Sequence, residues 1–167
     1  MASRSFSEAN AFHRAMRTFI ATKVGVALFR PTAHHLDRLA SKLTGGRRSA
    51  SLIVTGVPAV MLTSIGAKSG EPRTVALFPI PHSEGLAVIA SNFGGTKHPA
   101  WYHNLKANPH ATVTVEGDTW DAVARVAPPS ERDEIYANGI EIYPGWRKYE
   151  RTAGERHIEA FVLVRSA

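Results

Sequence analysis

From about residue 51 onward the chain is a series of short apolar runs separated by Gly, Pro, Asn and Ser. Such punctuation marks strands rather than helices. It predicts strands at Val60–Ser64, Thr74–Ile80, Leu86–Ser91, Ala111–Val115, Trp120–Val126 and Phe161–Arg165, with Ser51–Thr55 a further candidate. Gly117-Asp118, between two of the runs, predicts a hairpin turn. Two helices interrupt the series. One covers Pro99–Ala107 and is ended by Asn108-Pro109; the other starts near Ser130, with Glu131, Asp133 and Glu134 in its first turn, where the helix dipole favours acids. Many short strands with few helices point to a mainly β chain with helices, an α+β fold built on a small antiparallel barrel, because closing a sheet removes its exposed edges.

The first fifty residues follow another rule. Phe12, Met16, Phe19, Ile20 and Val24 recur at three- and four-residue steps, which predicts an amphipathic helix over residues 8–29, with Arg14, Arg17 and Lys23 largely off the apolar stripe. Pro31 ends that pattern. Thr32 can cap a second short helix bearing Leu36, Leu39, Ala40 and Leu43, which Gly45-Gly46 would close, and Arg47-Arg48-Ser49 reads as a linker. The chain thus divides into a basic, amphipathic helical extension over 1–50 and a barrel domain over 51–167. The extension holds nine Lys/Arg against two acids, while the rest of the chain is net −1, so all of the +6 charge belongs to the extension. Three uses suit it: packing on the barrel with solvated charges, lying on an anionic membrane surface through residues 8–48, or drawing in a polyanionic ligand. Nucleic acid is not expected, for no reader fold is recognisable.

Other chemistries are excluded early. There is no cysteine, hence no disulfide, thiolate metal site or thiol nucleophile. The eight histidines show no ligand spacing and no His-Glu-x-x-His, so no metal is expected. No apolar run approaches the ~20 residues that span a bilayer, and the start lacks the apolar core of a signal peptide. The expectation is a cytoplasmic protein.

Two stretches carry chemistry. Ile65-Gly66-Ala67-Lys68-Ser69-Gly70-Glu71-Pro72-Arg73 joins two strands by a glycine turn. By spacing alone it reads first as a hairpin with solvated charges. The alternative is an anion-binding concavity of backbone N–H groups, reinforced by Lys68, Ser69 and Arg73. Ser91 to Pro109 has strand–glycine loop–helix form, with Pro99 near the first helical position, where free N–H groups can face an anionic or carbonyl-rich ligand. Trp101 and Tyr102 could wall a flat ring or simply be core aromatics, and His98 and His103 could line the same cleft.

Together, Leu62-Thr63-Ser64-Ile65-Gly66-Ala67-Lys68-Ser69-Gly70-Glu71-Pro72-Arg73 and Ser91…Gly94-Gly95…Lys97-His98-Pro99-Ala100-Trp101-Tyr102-His103-Asn104-Leu105-Lys106-Ala107-Asn108-Pro109 closely resemble the deazaflavin (F420)-dependent nitroreductase family of actinobacteria. The resemblance runs from about Pro58 to the C-terminus. It implies a split β-barrel, FMN-binding-like, that holds coenzyme F420, whose reduced form donates hydride. It also implies that Ala67, Lys68 and Ser69 hold the phosphate or oligoglutamate tail, and that Arg73, Thr74, Val75, Ala76, Leu77 and Phe78 lie along the coenzyme. Ile89, Ala90, Ser91 and Asn92 would border the ring, and Ala100, Trp101, Tyr102, His103 and Asn104 would cover its phosphate and ring side. Asn92 stands where the family pattern has Lys, Phe78 where it has Tyr, and Val75 where it has Asn. One cationic contact and the acceptor preference therefore do not carry over.

Ile142-Tyr143-Pro144-Gly145-Trp146-Arg147-Lys148-Tyr149 sets three aromatics at three-residue steps, with Pro144 and Gly145 arguing for a bent cap rather than one regular helix. The family has aromatics here that close over the coenzyme; Trp146 takes the place of a Tyr. The catalytic candidates are Ser91, Tyr143, Trp146 and Tyr149. The expected activity is hydride transfer from reduced F420 to a small organic acceptor: a quinone, nitroaromatic or activated alkene. FMN in the same barrel is the nearest alternative. A non-catalytic F420 carrier or a membrane-peripheral binding protein is the alternative outside enzymes. A monomer or weak dimer is expected.

Overall fold

The computed structural model describes residues 8–20, 22, 24–25 and 54–166. Its elements are helix α1 (Ala11–Ile20), strands β1 (Val60–Ile65), β2 (Pro72–Leu77), β3 (Ile80–His82) and β4 (Gly85–Ile89), a 3₁₀ turn (Asn92–Gly94), helix α2 (Ala100–Ala107), strands β5 (His110–Val115) and β6 (Asp118–Val126), helices α3 (Pro129–Ile142) and α4 (Trp146–Thr152), and strand β7 (Ala160–Arg165). All seven strands form one antiparallel sheet in the order β2-β1-β5-β6-β7-β4-β3. The sheet curls into a half-barrel, the α+β architecture expected.

Why the sheet curls can be read from β4 and β7. Their apolar runs are continuous, not alternating, so both faces must be covered. Val88 and Ala90, with Phe161 and Leu163, join Leu62, Val113, Trp101 and Leu105 in one cluster. Ala87, Ile89, Ala160 and Val162 join Ile135, Tyr136, Tyr143, Trp146 and Tyr149 in another. One face is thus wrapped by the curled sheet and plugged by α2; α3 and α4 cover the other.

Three sequence expectations need correction. The run Thr74–Ile80 is not one strand: Phe78-Pro79 divides β2 from β3. Proline has no N–H to give a ladder, so the chain changes partners there. Val54 and Thr55 are helical, so the end of the expected Ser51–Thr55 strand is not one; its first three positions lie outside the described residues. The hairpin between β5 and β6 turns on Glu116-Gly117, one residue earlier than expected, with φ of 51° and 90°. Two successive positive φ values make the tight reversal whose twist suits paired strands. The expected second helix after Thr32 and the linker at Arg47 lie outside the described residues.

Helix α1 is tied to the body by Arg17, which is 1% exposed. Its guanidinium donates to the carbonyls of Thr55 (2.7 Å) and Ile142 (2.8 Å). Burial lowers its pKa, yet an arginine stays charged inside proteins. On the same helix Phe12 and Phe19 are exposed, so only part of the predicted apolar stripe is packed against the described residues.

Arg125 on β6 clamps Glu84 and Glu131, with contacts of 2.6 Å to each, and His82 lies 3.3 Å from Glu131. Hydrogen bonds from Arg125 hold both carboxyls below the usual carboxylate range. A depressed carboxyl pKa adds stability that is complete above that range and is lost as pH falls through the depressed values. Thermal melts of Arg125→Gln should therefore show a lower midpoint at neutral pH and a shallower decline toward about pH 3 than the parent. Parallel pH profiles for the two proteins would overturn this.

Candidate functional site

Between the β1–β2 hairpin, the β4–α2 loop and the α3–α4 corner lies a cleft of about 1110 Å³. Its two ends differ in chemistry.

One end is cationic. The turn after β1 is closed by Gly66 N–H on the Glu71 carbonyl (2.9 Å) and Gly70 N–H on the Gly66 carbonyl (2.8 Å). Asn104, 7% exposed on α2, fixes this turn. Its Oδ1 accepts from Ala67 N–H (3.0 Å), and its Nδ2 donates to Ser64 Oγ (3.2 Å). Of the expected concavity of N–H groups, the turn itself therefore consumes most. Only the Lys68 and Ser69 N–H groups make no hydrogen bond among the described residues. Lys68 and Arg73 are exposed on the rim and form no ion pair among the described residues. The Arg73 guanidinium donates to Ser69 Oγ at 3.5 Å.

The other end is aromatic. Tyr143 and Tyr149 share a hydrogen bond of 3.0 Å between their hydroxyls, and Trp146 Nε1 donates to Ser91 Oγ at 3.3 Å. Phe78 meets Tyr143 and Trp146 at ring distances of 5.8 and 6.4 Å. Trp146 lies flat against α3 because position 139 is Gly: a Cβ there would come within 2.7 Å of the indole. The backbone of Trp146 is also tied to α3, since Tyr136 OH donates to the Trp146 carbonyl at 2.9 Å. Burial raises the pKa of both Tyr143 and Tyr149. Each therefore stays a neutral phenol at physiological pH, able to donate a hydrogen bond but not to act as a base.

The expected site residues Ala67, Lys68, Ser69, Arg73, Thr74, Val75, Ala76, Leu77, Phe78, Ile89, Ser91, Asn92, Ala100, Trp101, His103, Asn104, Tyr143, Trp146 and Tyr149 all line this cleft. Ala90 and Tyr102 do not; both are buried in the barrel core. Tyr102 points the other way because its hydroxyl donates to Glu159 (2.8 Å) and its ring stacks on His98 at 3.9 Å. Burial and Glu159 push its pKa up to about 12. Asn92 turns its amide back onto the Lys97 carbonyl (2.8 Å).

Three contributors were not visible beforehand. Arg156, from the loop after α4, donates to the carbonyls of Ala90 (2.8 Å), Ser91 (2.7 Å) and Gly95 (2.9 Å), and so fixes the loop that carries Ser91. Phe93 lines the cleft with a positive φ of 53°. Gly139 admits Trp146. No spacing signals Arg156, because its partners lie more than sixty residues away. The Phe93 signal was its place between Ser91 and the Gly94-Gly95 pair. Among the described residues His82, Glu84 and Glu131 are grouped closely enough for a metal ion. The Arg125 guanidinium already supplies their positive charge.

Comparison with known proteins decides the family. Residues 36–165 match the family model described as F420H(2)-dependent quinone reductase. The chain belongs to that family. It is 34% identical over 76 residues to the F420H(2)-dependent quinone reductase Rv1261c of Mycobacterium tuberculosis H37Rv, a match covering 46% of this chain and 51% of the relative. The chain thus spans about half the length of the curated relatives it matches first. Among solved structures, an F420-H2 dependent reductase (FDR-A) superposes with a TM-score of 0.58 at 36% identity, covering 64% of this chain and 93% of that one. A second structure, described as a domain-swapped dimer, gives 0.61 at 31% identity, covering 75% and 94%. The half-barrel is accordingly the split β-barrel of these reductases.

Asn104 is the point at which the cationic turn is fastened to α2. Asn104→Ala should leave Ala67 N–H and Ser64 Oγ without their partner and cost about 1–3 kcal/mol. Chemical denaturation reads the loss; a change below a few tenths of a kcal/mol would show that water replaces the amide.

Proposed function

We propose that this chain is an F420H2-dependent quinone reductase, an oxidoreductase that transfers hydride from reduced coenzyme F420 to a small acceptor. Quinones are the leading acceptors, with nitroaromatics and activated alkenes as the wider class. One observation carries the reading: a single cleft joins a cationic rim, without ion pairs among the described residues, to a hydrogen-bonded aromatic wall. A phosphate-bearing flat ring with an anionic tail needs both at once. His98, which lines the cleft and whose buried Nδ1 has no hydrogen-bond partner among the described residues, adds a polar site that suits such a ligand.

When bound, the reduced deazaflavin supplies the hydride. The protein supplies position and exclusion of water. Lys68 and Arg73 attract the tail, with the Lys68 and Ser69 N–H groups available to its phosphate oxygens. Residues of β2 and Trp101, which line the cleft, would flank the ring. Ser91 Oγ, already accepting from Trp146, can donate its own proton toward an acceptor carbonyl. Tyr143 and Tyr149, paired and neutral, keep the pocket dry and offer one remaining O–H between them. Hydride transfer needs near-contact geometry, so the rigidity of this wall sets the rate.

The same geometry also accommodates FMN, which shares the ring shape and a phosphate. Titrating the protein with F420 and with FMN separates the two, since only F420 carries the tail that the Lys68 rim would read. We further propose the domain arrangement of a basic extension over 1–50 before the barrel of 51–167, in a monomer or weak dimer. Among the described residues no helix is long and apolar enough to cross a membrane. Exposed Phe12 and Phe19 beside Arg14 on α1 support a cytoplasmic protein resting peripherally on the inner, anionic membrane face through residues 8–48.

Two substitutions divide the roles. Lys68→Ala should weaken binding of long-tailed F420 by about tenfold and of a tail-free analogue far less. Trp146→Ala should lower menadione turnover by about a hundredfold with coenzyme affinity nearly unchanged. Equal loss for both coenzymes, or undiminished turnover, would remove Lys68 or Trp146 respectively from the scheme. For the membrane, full-length protein should co-sediment with anionic liposomes at low salt while Phe12→Ser/Phe19→Ser stays in the supernatant; equal partition of the two would retire this contact.

A further inference from the structure

Phe93 stands in a backbone conformation that its side chain disfavours. Its φ and ψ are 53° and 31°, after Asn92 at φ 46° and before Gly94 at φ 72°. A left-handed turn of this kind is unfavourable for a bulky L-residue. The surroundings enforce it. Gly94 N–H donates to the Ser91 carbonyl and Gly95 N–H to that of Asn92, each at 2.9 Å. Arg156 holds the carbonyls of Ala90, Ser91 and Gly95 from behind. Gly94 is pressed on α4 so closely that a Cβ would lie 3.1 Å from the Tyr149 Cα.

The strained turn delivers a phenyl ring to the aromatic end of the cleft. Phe93 meets Tyr149 edge-on, with ring centroids 6.4 Å apart and planes at 66°. The three aromatics of the α3–α4 corner are constrained differently. Tyr143, Trp146 and Tyr149 are each at most 5% exposed, and each spends its polar atom on a hydrogen bond. Phe93 is half-buried, has no polar atom to satisfy, and comes from the Ser91 loop rather than from the α3–α4 corner. Its volume, like that of Phe78, can therefore change without leaving a buried polar group unpaired, and of the two Phe93 is the one carried on the Ser91 loop.

We propose that Phe93 determines acceptor size: its ring is the wall that limits the bulk of a quinone lying against Ser91 and Trp146. This rests on the quinone reductase reading of the same cleft. Backbone strain held at a ligand site is otherwise a cost without return.

The test compares menadione with a 2-methyl-naphthoquinone carrying a bulky 3-substituent. Phe93→Asn keeps a residue that tolerates left-handed backbone and removes the ring; Phe93→Trp enlarges it. For each protein, steady-state oxidation of F420H2 is measured with both quinones. Quinone binding to coenzyme-free protein is followed by quenching of tryptophan fluorescence. In Phe93→Asn the bulky-to-small ratio of kcat/KM should rise about tenfold, the range expected when a few carbon atoms of pocket volume change. The bulky quinone's Kd should fall in parallel, with coenzyme affinity unchanged, and Phe93→Trp should shift the ratio the other way. An unchanged ratio, or equal loss for both quinones with weakened coenzyme binding, would overturn the assignment and leave the reductase reading standing. A parent protein that oxidises F420H2 with neither quinone would fell that reading and this one with it.

Discussion

The two-sided burial of β4 and β7 governs the rest of the molecule. Each strand sends alternate side chains into two separate apolar clusters. Neither strand can therefore sit at a solvated surface, and the sheet must curl over one cluster while helices cover the other. Edge strand β2 meets a lesser demand. It packs Val75 and Leu77 against one cluster without fully burying them and leaves Pro72 and Arg73 exposed. The cleft forms where the fully covered centre of the sheet gives way to that edge.

This position explains the polarity of the site. At the edge, turns reach solvent, so Lys68 and Arg73 keep their hydration and need no counter-ion. At the centre, burial excludes charge, and the side chains that face the cleft are phenols, an indole and a phenyl. The raised pKa values of Tyr143 and Tyr149 follow from the same burial. A ligand with an anionic tail and a flat, weakly polar ring matches that gradient without any rearrangement of charge. The hydrogen bonds that hold the gradient in place come from side chains far away in sequence: Asn104 fastens the cationic turn, and Arg156 fastens the Ser91 loop.

Most of the strands could be read from residue pattern, because a strand buried on both faces needs a continuous apolar run and leaves one in the sequence. Phe161–Arg165 and Leu86–Ser91 were legible for that reason. The glycine turn and the strand–loop–helix stretch were legible as anion- and ring-binding elements only through their resemblance to a known family; on spacing alone both had ordinary structural readings. The split at Phe78-Pro79 was missed because a run of apolar residues does not say where a chain changes partner. The family resemblance implies Tyr102 in the site along with Trp101, but successive helical residues point about 100° apart, so one faces the cleft and the other Glu159.

By itself, the sequence determined the local alphabet of this protein: where strands and helices form, where glycine permits a reversal, and where charge is concentrated. These depend on neighbours within a few residues, and their physics is short-ranged. Only the tertiary structure decided which side chains share the cleft, which backbone carbonyls Arg156 holds, and that Phe93 is forced into a left-handed turn to face Tyr149. Those outcomes depend on contacts between segments brought together by the curl of the sheet, and no spacing along the chain names the partners that meet there.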